Sequence, residues 1–586
     1  MLDRADVTLL PAFSLLPAAV AGSWSPALSP DGRHAAYVSD RDGMPAVWVQ
    51  PVGGELAFPI ALGHPVSAVA WSSGGGWLAC QLAPGGGPRQ EVWLVRPDGS
   101  DPHQVAGFGA DTADDMRWLP GRPVLALTEN LTSAVLIDVV SGTRTVVSTG
   151  DLISLRDVDP SGRFALLRQG PRGARVILLE DLISGTTKQV ARGEQAVFAP
   201  GGDSVYVRDE EGEFPVLRRD DVVLAGGPAP ARRPGPAGEP SEVESFAVTA
   251  DGRTVAVLWN VRGGESALEL LTSGGSRTVP LPGPVVSGLT WSHDGSTLAF
   301  TAEGPGQPHG VWACDSDGTN LRAVSAEPPG DGTVRPTLEK VTAHDGLTLT
   351  GWLFTPPGDG PHPAVVWLHG GPEAQERPGH GPLFQALVRR GIAVFAPNVR
   401  GSSGFGRSFV NADNGPLRYD AIEDVRSCVR HLRDSGLAGR VGLMGRSYGG
   451  YLTLAALCAF PALFEVGVDI CGMSNFQTFY RHTEPWIAAA AISKYGDPVT
   501  DAALLHDLSP IHQIDRLRAP LLVVHGENDT NVPVIEAEQV VAALAARGLP
   551  HRYLLFPGEG HELLHQTSRA TFLRETLDWL TEHLLT

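Results

Sequence analysis

Lysine is nearly missing from this chain: Lys188, Lys340 and Lys494 are the only three in 586 residues, against 42 arginines. With 70 glycines, that imbalance reads as a bias of base composition, so an arginine cluster carries little functional weight here. Cysteine is sparse too. The five are scattered without a C-x-x-C pair, which excludes a disulfide framework and fits free thiols in a reducing cytoplasm. No His, Cys or carboxylate cluster has metal-ligand spacing, and no phosphate-cradling glycine loop has the right flanks, so neither metal nor cofactor is expected. A net charge of −20 argues against a nucleic-acid surface. Long apolar runs are absent as well. Residues 1–22 are apolar, but three charges in the first six and prolines at 11 and 17 fit neither a signal peptide nor a membrane span. They read as a segment that docks on a later domain.

The next three hundred residues lack helical periodicity. What they have is one recurring turn, at Gly32, Gly75, Gly121, Gly162, Gly202, Gly252 and Gly295, spaced 40 to 50 residues apart. Short strand patterns flank most of these turns, as in Trp71 to Cys80 and Trp291 to Phe300. Such a period with several strands per unit predicts a β-propeller, and seven units fit residues 23–326. A β-sandwich is the alternative, but it does not predict even spacing. Residues 225–240, rich in Pro and Gly, read as a surface loop. Residues 327–336 carry linker signals, and residues 337–586 form a second domain.

The chemistry lies in that second domain. Gly445-Arg-Ser-Tyr-Gly449 follows an apolar run and opens a small-residue segment suited to helix. A serine on a sharp strand-to-helix turn needs glycine two residues to either side, because a Cβ there would clash. A serine hydroxyl is a poor nucleophile, so Ser447 needs a base and a group to orient that base. The apolar strand pattern Leu521 to His525 delivers Asp529 just past its end, and Tyr553 to Phe556 delivers His561. Serine, acid, histidine is the chain order of an α/β-hydrolase, a doubly wound, mostly parallel sheet. The backbone N–H of Tyr448 and that of Gly371, in His369-Gly-Gly-Pro372, are the expected oxyanion donors. Asp497 and His565 are alternatives for the acid and the base. His369 and His525 read as structural hydrogen-bonders.

A propeller before such a domain resembles the prolyl oligopeptidase family of serine peptidases, and within it the acylaminoacyl-peptidase and aminopeptidase branch. The likeness covers essentially the whole chain. It is carried by His369-Gly-Gly-Pro372, Asn398 to Gly406, Gly445 to Gly450, Tyr495-Gly-Asp-Pro498, Leu508-Ser-Pro-Ile511, His525 to Asp529 and Gly560-His561. The resemblance implies Ser447, Asp529 and His561 as the triad, no cofactor, and a propeller that limits substrate size. It also places the aromatic insert with Phe476, Phe479, Tyr480 and Trp486 beside Ser447 as a side-chain pocket, with core packing as the alternative. Relatives often carry arginine two residues after the triad aspartate, where this chain has Asn531, and an amide does not replace a forked cation. No glutamate pair that would clamp a free N-terminus stands out, although Glu91 or the loop with Glu210, Glu211 and Glu213 offers carboxylates.

The expected function is hydrolysis of short peptides from their N-terminal side through an acyl-enzyme. Its competitors are an amidase or esterase acting on small aminoacylated metabolites, and an inactive propeller that only binds. The expected partners are short peptides or small aminoacyl and acyl amides, with homo-oligomer formation left open and neither nucleic acid nor membrane involved.

Overall fold

The computed structural model describes residues 21–54, 56–86, 89–171, 173–227, 241–327, 330 and 332–586. The expected docking of residues 1–22 and most of the Pro-rich loop therefore lie outside the described residues. Strands β1–β28 form seven four-stranded antiparallel sheets, over residues 23–60, 66–106, 113–149, 153–192, 196–225, 241–279 and 285–325. The recurring glycine turn joins the first and second strand of every sheet. At Gly32, Gly162 and Gly295 φ lies between +67° and +77°, which explains why glycine recurs there. A side chain reinforces the same bend: Ser29 and the N–H of Arg33 both donate to Asp31 Oδ1, and Ser292 and Ser296 do so to Asp294.

The second strand of each propeller sheet is largely buried on both faces, so no blade is stable without its neighbours. Apolar clusters join each sheet to the next. Val47 and Ile60 of the first pack with Leu78 and Val95 of the second, and Leu258 and Leu270 of the sixth with Val286 and Phe300 of the seventh. The ring closes where Tyr37 and Trp48 of the first sheet meet Val311 and Val324 of the seventh. Among the described residues no strand is exchanged across that seam. Side chains close it, with Ser23 Oγ and Ser325 Oγ 2.9 Å apart. The fold is a seven-bladed propeller.

The second domain is an eight-stranded sheet: β29 (Thr337–Thr342), β30 (Thr348–Phe354), β31 (His362–Leu368), β32 (Ala393–Asn398), β33 (Ala438–Arg446), β34 (Gly467–Ile470), β35 (Leu521–Gly526) and β36 (His551–Phe556). Its spatial order is β29-β30-β32-β31-β33-β34-β35-β36. Only the first two strands run antiparallel to their neighbours; β32 to β36 are parallel. Helices Arg418–Asp434, Tyr448–Ala459 and Ile535–Arg547 cover one face, and Pro382–Arg389 and Gln566–Leu585 the other. This is the α/β-hydrolase arrangement. The loop after β31 ties it to the propeller: Arg377 reaches Glu244, the Gly264 carbonyl and Ser266 at 2.6 to 2.9 Å, and His380 N–H donates to Glu303.

Candidate active site

Strand β33 ends at Arg446, and the helix Tyr448–Ala459 begins two residues later. Ser447 sits between them at φ +56°, ψ −118°, strained for a residue with a side chain. The glycines explain how the turn closes. A Cβ on Gly445 would collide with the Gly449 carbonyl, and one on Gly449 with the carbonyl oxygen of Leu368. Ser447 N–H donates to the Ile470 carbonyl at 2.8 Å, which fixes the turn to β34.

Three predicted residues meet here. Ser447 Oγ lies 3.1 Å from His561 Nε2, and His561 Nδ1 lies 2.7 Å from Asp529 Oδ2. The other aspartate oxygen accepts the backbone N–H groups of Asn531 and Val532, both at 2.9 Å. Burial disfavours the imidazolium form of His561, but Cys471 and the hydrogen-bonded Asp529 favour it and prevail, so the ring sits above the ordinary imidazole range. Arg446 donates to the His561 carbonyl at 2.6 Å and pairs with Glu562 at 2.7 Å.

The loop after β31 passes beside the serine: a Cβ on Gly370 would stand 3.3 Å from Ser447 Cβ. Gly371 follows at φ +124°, and Tyr448 opens the helix on the other side. A buried ionic group ties Tyr448 down. Arg418 bonds both Asp413 and the Tyr448 hydroxyl, and the hydroxyl also donates to Asp413 at 3.0 Å.

The alternatives fall away on geometry. Asp497 caps a turn, accepting from Val499 and Thr500, and His565 pairs with Glu559 at 2.9 Å. His369 reaches Ser402 and His525 the Val532 carbonyl, each at 2.8 Å. Glu91 pairs with Arg89 and Trp93 inside the propeller.

The aromatic insert needs correcting. Phe476 and Phe479 are 0% and 2% exposed and pack with Tyr451 and Tyr495, so they are core and offer no face to a ligand. Tyr480 spends its hydroxyl on the Gly496 carbonyl, while Trp486 is exposed. Asn531 serves Asp529 through its backbone.

Residues not singled out from the sequence also surround the site. Cys471 stands beside His561, and Lys494 and Glu373 extend the Arg418 group. A cavity of about 930 Å³ between the domains is lined by Trp24, Glu303, Trp367, Glu376, Cys471 and His561, among others. Another, of about 230 Å³, holds Glu210, Glu242 and Glu373. Burial pushes the carboxyls of Glu210 and Glu242 upward despite the nearby Arg208 guanidinium.

The prolyl oligopeptidase family matches residues 382–586, the stretch that holds all three residues. The chain carries a serine peptidase domain of the prolyl oligopeptidase family. Dipeptidyl aminopeptidase BIII of Pseudoxanthomonas mexicana is 28% identical, the match covering 95% of this chain and 86% of that one. Dipeptidyl peptidase family member 6 of Caenorhabditis elegans is 35% identical, over 39% of this chain and 36% of its own. The chain thus spans about a third of that relative's length. In fold, the crystal structure of puromycin hydrolase superposes with a TM-score of 0.82 at 19% identity, covering 96% of this chain and 95% of that one. The acylaminoacyl peptidase of Pyrococcus horikoshii gives 0.72 at 16%, covering 97% and 96%. No helix among the described residues is long and apolar enough to cross a membrane.

Proposed function

We propose that this family member removes residues from the N-terminal side of short peptides through an acyl-enzyme. Residues 337–586 act as the catalytic unit, residues 23–326 as a propeller that excludes folded substrates, and 327–336 as the link. The observation that carries the reading is the continuous Ser447–His561–Asp529 hydrogen-bond chain. Ser447 Oγ attacks the scissile carbonyl while His561 Nε2 takes its proton; His561 then returns that proton to the leaving amine. Asp529 holds Nδ1–H so that Nε2 stays the acceptor. The N–H groups of Tyr448 and Gly371 stabilise the oxyanion.

Within that reading, the Glu210–Glu242–Glu373 cavity favours a free amino end over a blocked one. Glu210 there pairs with Arg208 and Glu373 with Lys494, which leaves Glu242, whose carboxyl burial pushes upward, for an ammonium group to relieve. The names of the relatives, a dipeptidyl aminopeptidase and acylamino-acid-releasing enzymes, point to the same end of the substrate. The test is hydrolysis of paired chromogenic anilides, free-amino and N-acetylated, by the wild type and Ser447→Ala. Serine-dependent cleavage that prefers the free-amino member is expected. Full activity in Ser447→Ala sinks the mechanism. Ester turnover without anilide cleavage replaces peptides by small aminoacylated metabolites as the substrate class.

A further inference from the structure

Cys471 follows β34 directly, in a backbone conformation that side chains rarely adopt, φ +42°. Its N–H donates to the Val524 carbonyl at 2.8 Å, which pins the residue between two strand ends. The result is a juxtaposition that no sequence spacing announces. Sγ of Cys471, a carboxylate oxygen of Asp529 and a ring nitrogen of His561 all lie within 4.8 Å of one another. The three come from the ends of three adjacent strands, β34, β35 and β36. The other four cysteines are 0% or 1% exposed and none lines the large inter-domain cavity, whereas Cys471, at 4%, and His561 both line it.

Thiolate, imidazole and carboxylate with a route from solvent form a three-ligand set for a soft divalent cation, leaving a fourth position for water. Zinc bonds of about 2.0–2.3 Å ask for ligand atoms roughly 3.3–3.6 Å apart in a tetrahedron, so the 2.7 Å His561–Asp529 pair opens slightly around the cation and all three atoms already lie within 4.8 Å. We propose that Cys471, His561 and Asp529 bind a zinc-class cation and that occupancy switches the hydrolase off. On binding, the Cys471 thiol releases its proton to solvent. The cation takes His561 Nδ1, the nitrogen that faces Asp529, and the proton that nitrogen carried moves to Nε2, which then has no lone pair for the Ser447 proton. Removal of the cation restores both groups, so the inhibition is reversible. Hard cations such as magnesium and calcium, which favour oxygen ligands, do not act this way.

The off-switch rests on the triad reading, whereas the binding does not. Two measurements on the full chain separate them. Titration with cobalt(II), without substrate, is expected to give a near-ultraviolet thiolate-to-cobalt charge-transfer band in the wild type and in Ser447→Ala, and none in Cys471→Ser. Zinc titration of anilide turnover, each protein scaled to its own zinc-free rate, is expected to need about tenfold or more zinc in Cys471→Ser. Chelation should restore the wild type. A wild type without the band, or Cys471→Ser equally sensitive to zinc, overturns the proposal. If Ser447→Ala keeps both its activity and the band, the triad reading fails while the cation site stands.

Discussion

Lys494 Nζ lies 3.0 Å from Glu373 Oε1, and the same ammonium reaches Asp413 Oδ1 at 3.7 Å and the Val410 carbonyl at 2.7 Å. The other two lysines of the chain are exposed, while Lys494 is 4% exposed. Its contacts join the two sides of the proposed oxyanion hole. Glu373 stands two residues after Gly371, and Asp413 holds the Tyr448 hydroxyl. Lys494→Met leaves buried carboxylate charge without its partner, for which the expected loss is about 3–5 kcal/mol of folding stability. Urea unfolding checks it; a midpoint equal to wild type removes the lysine from the framework.

Asp529 uses both oxygens, one on His561 and one on two backbone N–H groups. Asp529→Asn preserves the shape but presents an amide where Nδ1–H needs an acceptor, so the imidazole loses its working tautomer. The expected effect is a fall in kcat of about four orders of magnitude. Far-UV circular dichroism should be unchanged. A fall of less than tenfold would show that another group orients His561.

These two cases show what was legible in the sequence and what was not. The propeller was readable because one backbone demand, a left-handed turn between the first two strands, recurs in every blade and selects glycine. The serine turn was readable for the same kind of reason. The buried Arg418–Asp413–Lys494–Glu373 group was not, since its members come from separated segments and charge alone does not say which side of a helix faces inward. Cys471 lay equally hidden, because its partners converge only across neighbouring strands. Phe476 and Phe479 show the opposite failure: aromatic side chains placed near a site by chain position turned inward, as large apolar groups mostly do.

Gly449 offers a sharper test of the turn. A Cβ there meets the backbone oxygens of Leu368 and His369, neither of which yields without moving the oxyanion loop. Gly449→Ala is expected to cost about 3 kcal/mol or more, seen as a lowered urea midpoint or loss of soluble protein. Gly439→Ala, on strand β33 that leads into the turn and with no atom within 4 Å of its added Cβ, is the control. It should shift stability by less than about 0.5 kcal/mol. Equal effects at both positions would sink the close-packing account of the turn.

Glu376 connects pH to the inter-domain cavity. Its carboxyl lines that space, accepts the Trp367 indole N–H at 2.8 Å, and is pushed by burial from 4.5 to about 8, with Glu303 adding to the rise and Trp367 opposing it. A carboxyl raised in the folded state binds its proton more tightly there than in the unfolded chain. Its contribution to stability is therefore complete below about pH 4.5 and is lost as pH climbs through about 8. Glu376→Gln keeps an acceptor for Trp367 and has no proton to lose. Urea midpoints of both proteins, measured from pH 5 to above pH 8, should show wild type falling relative to Glu376→Gln across that window. Parallel curves would mean that Glu376 ionises in the folded protein as it does in water.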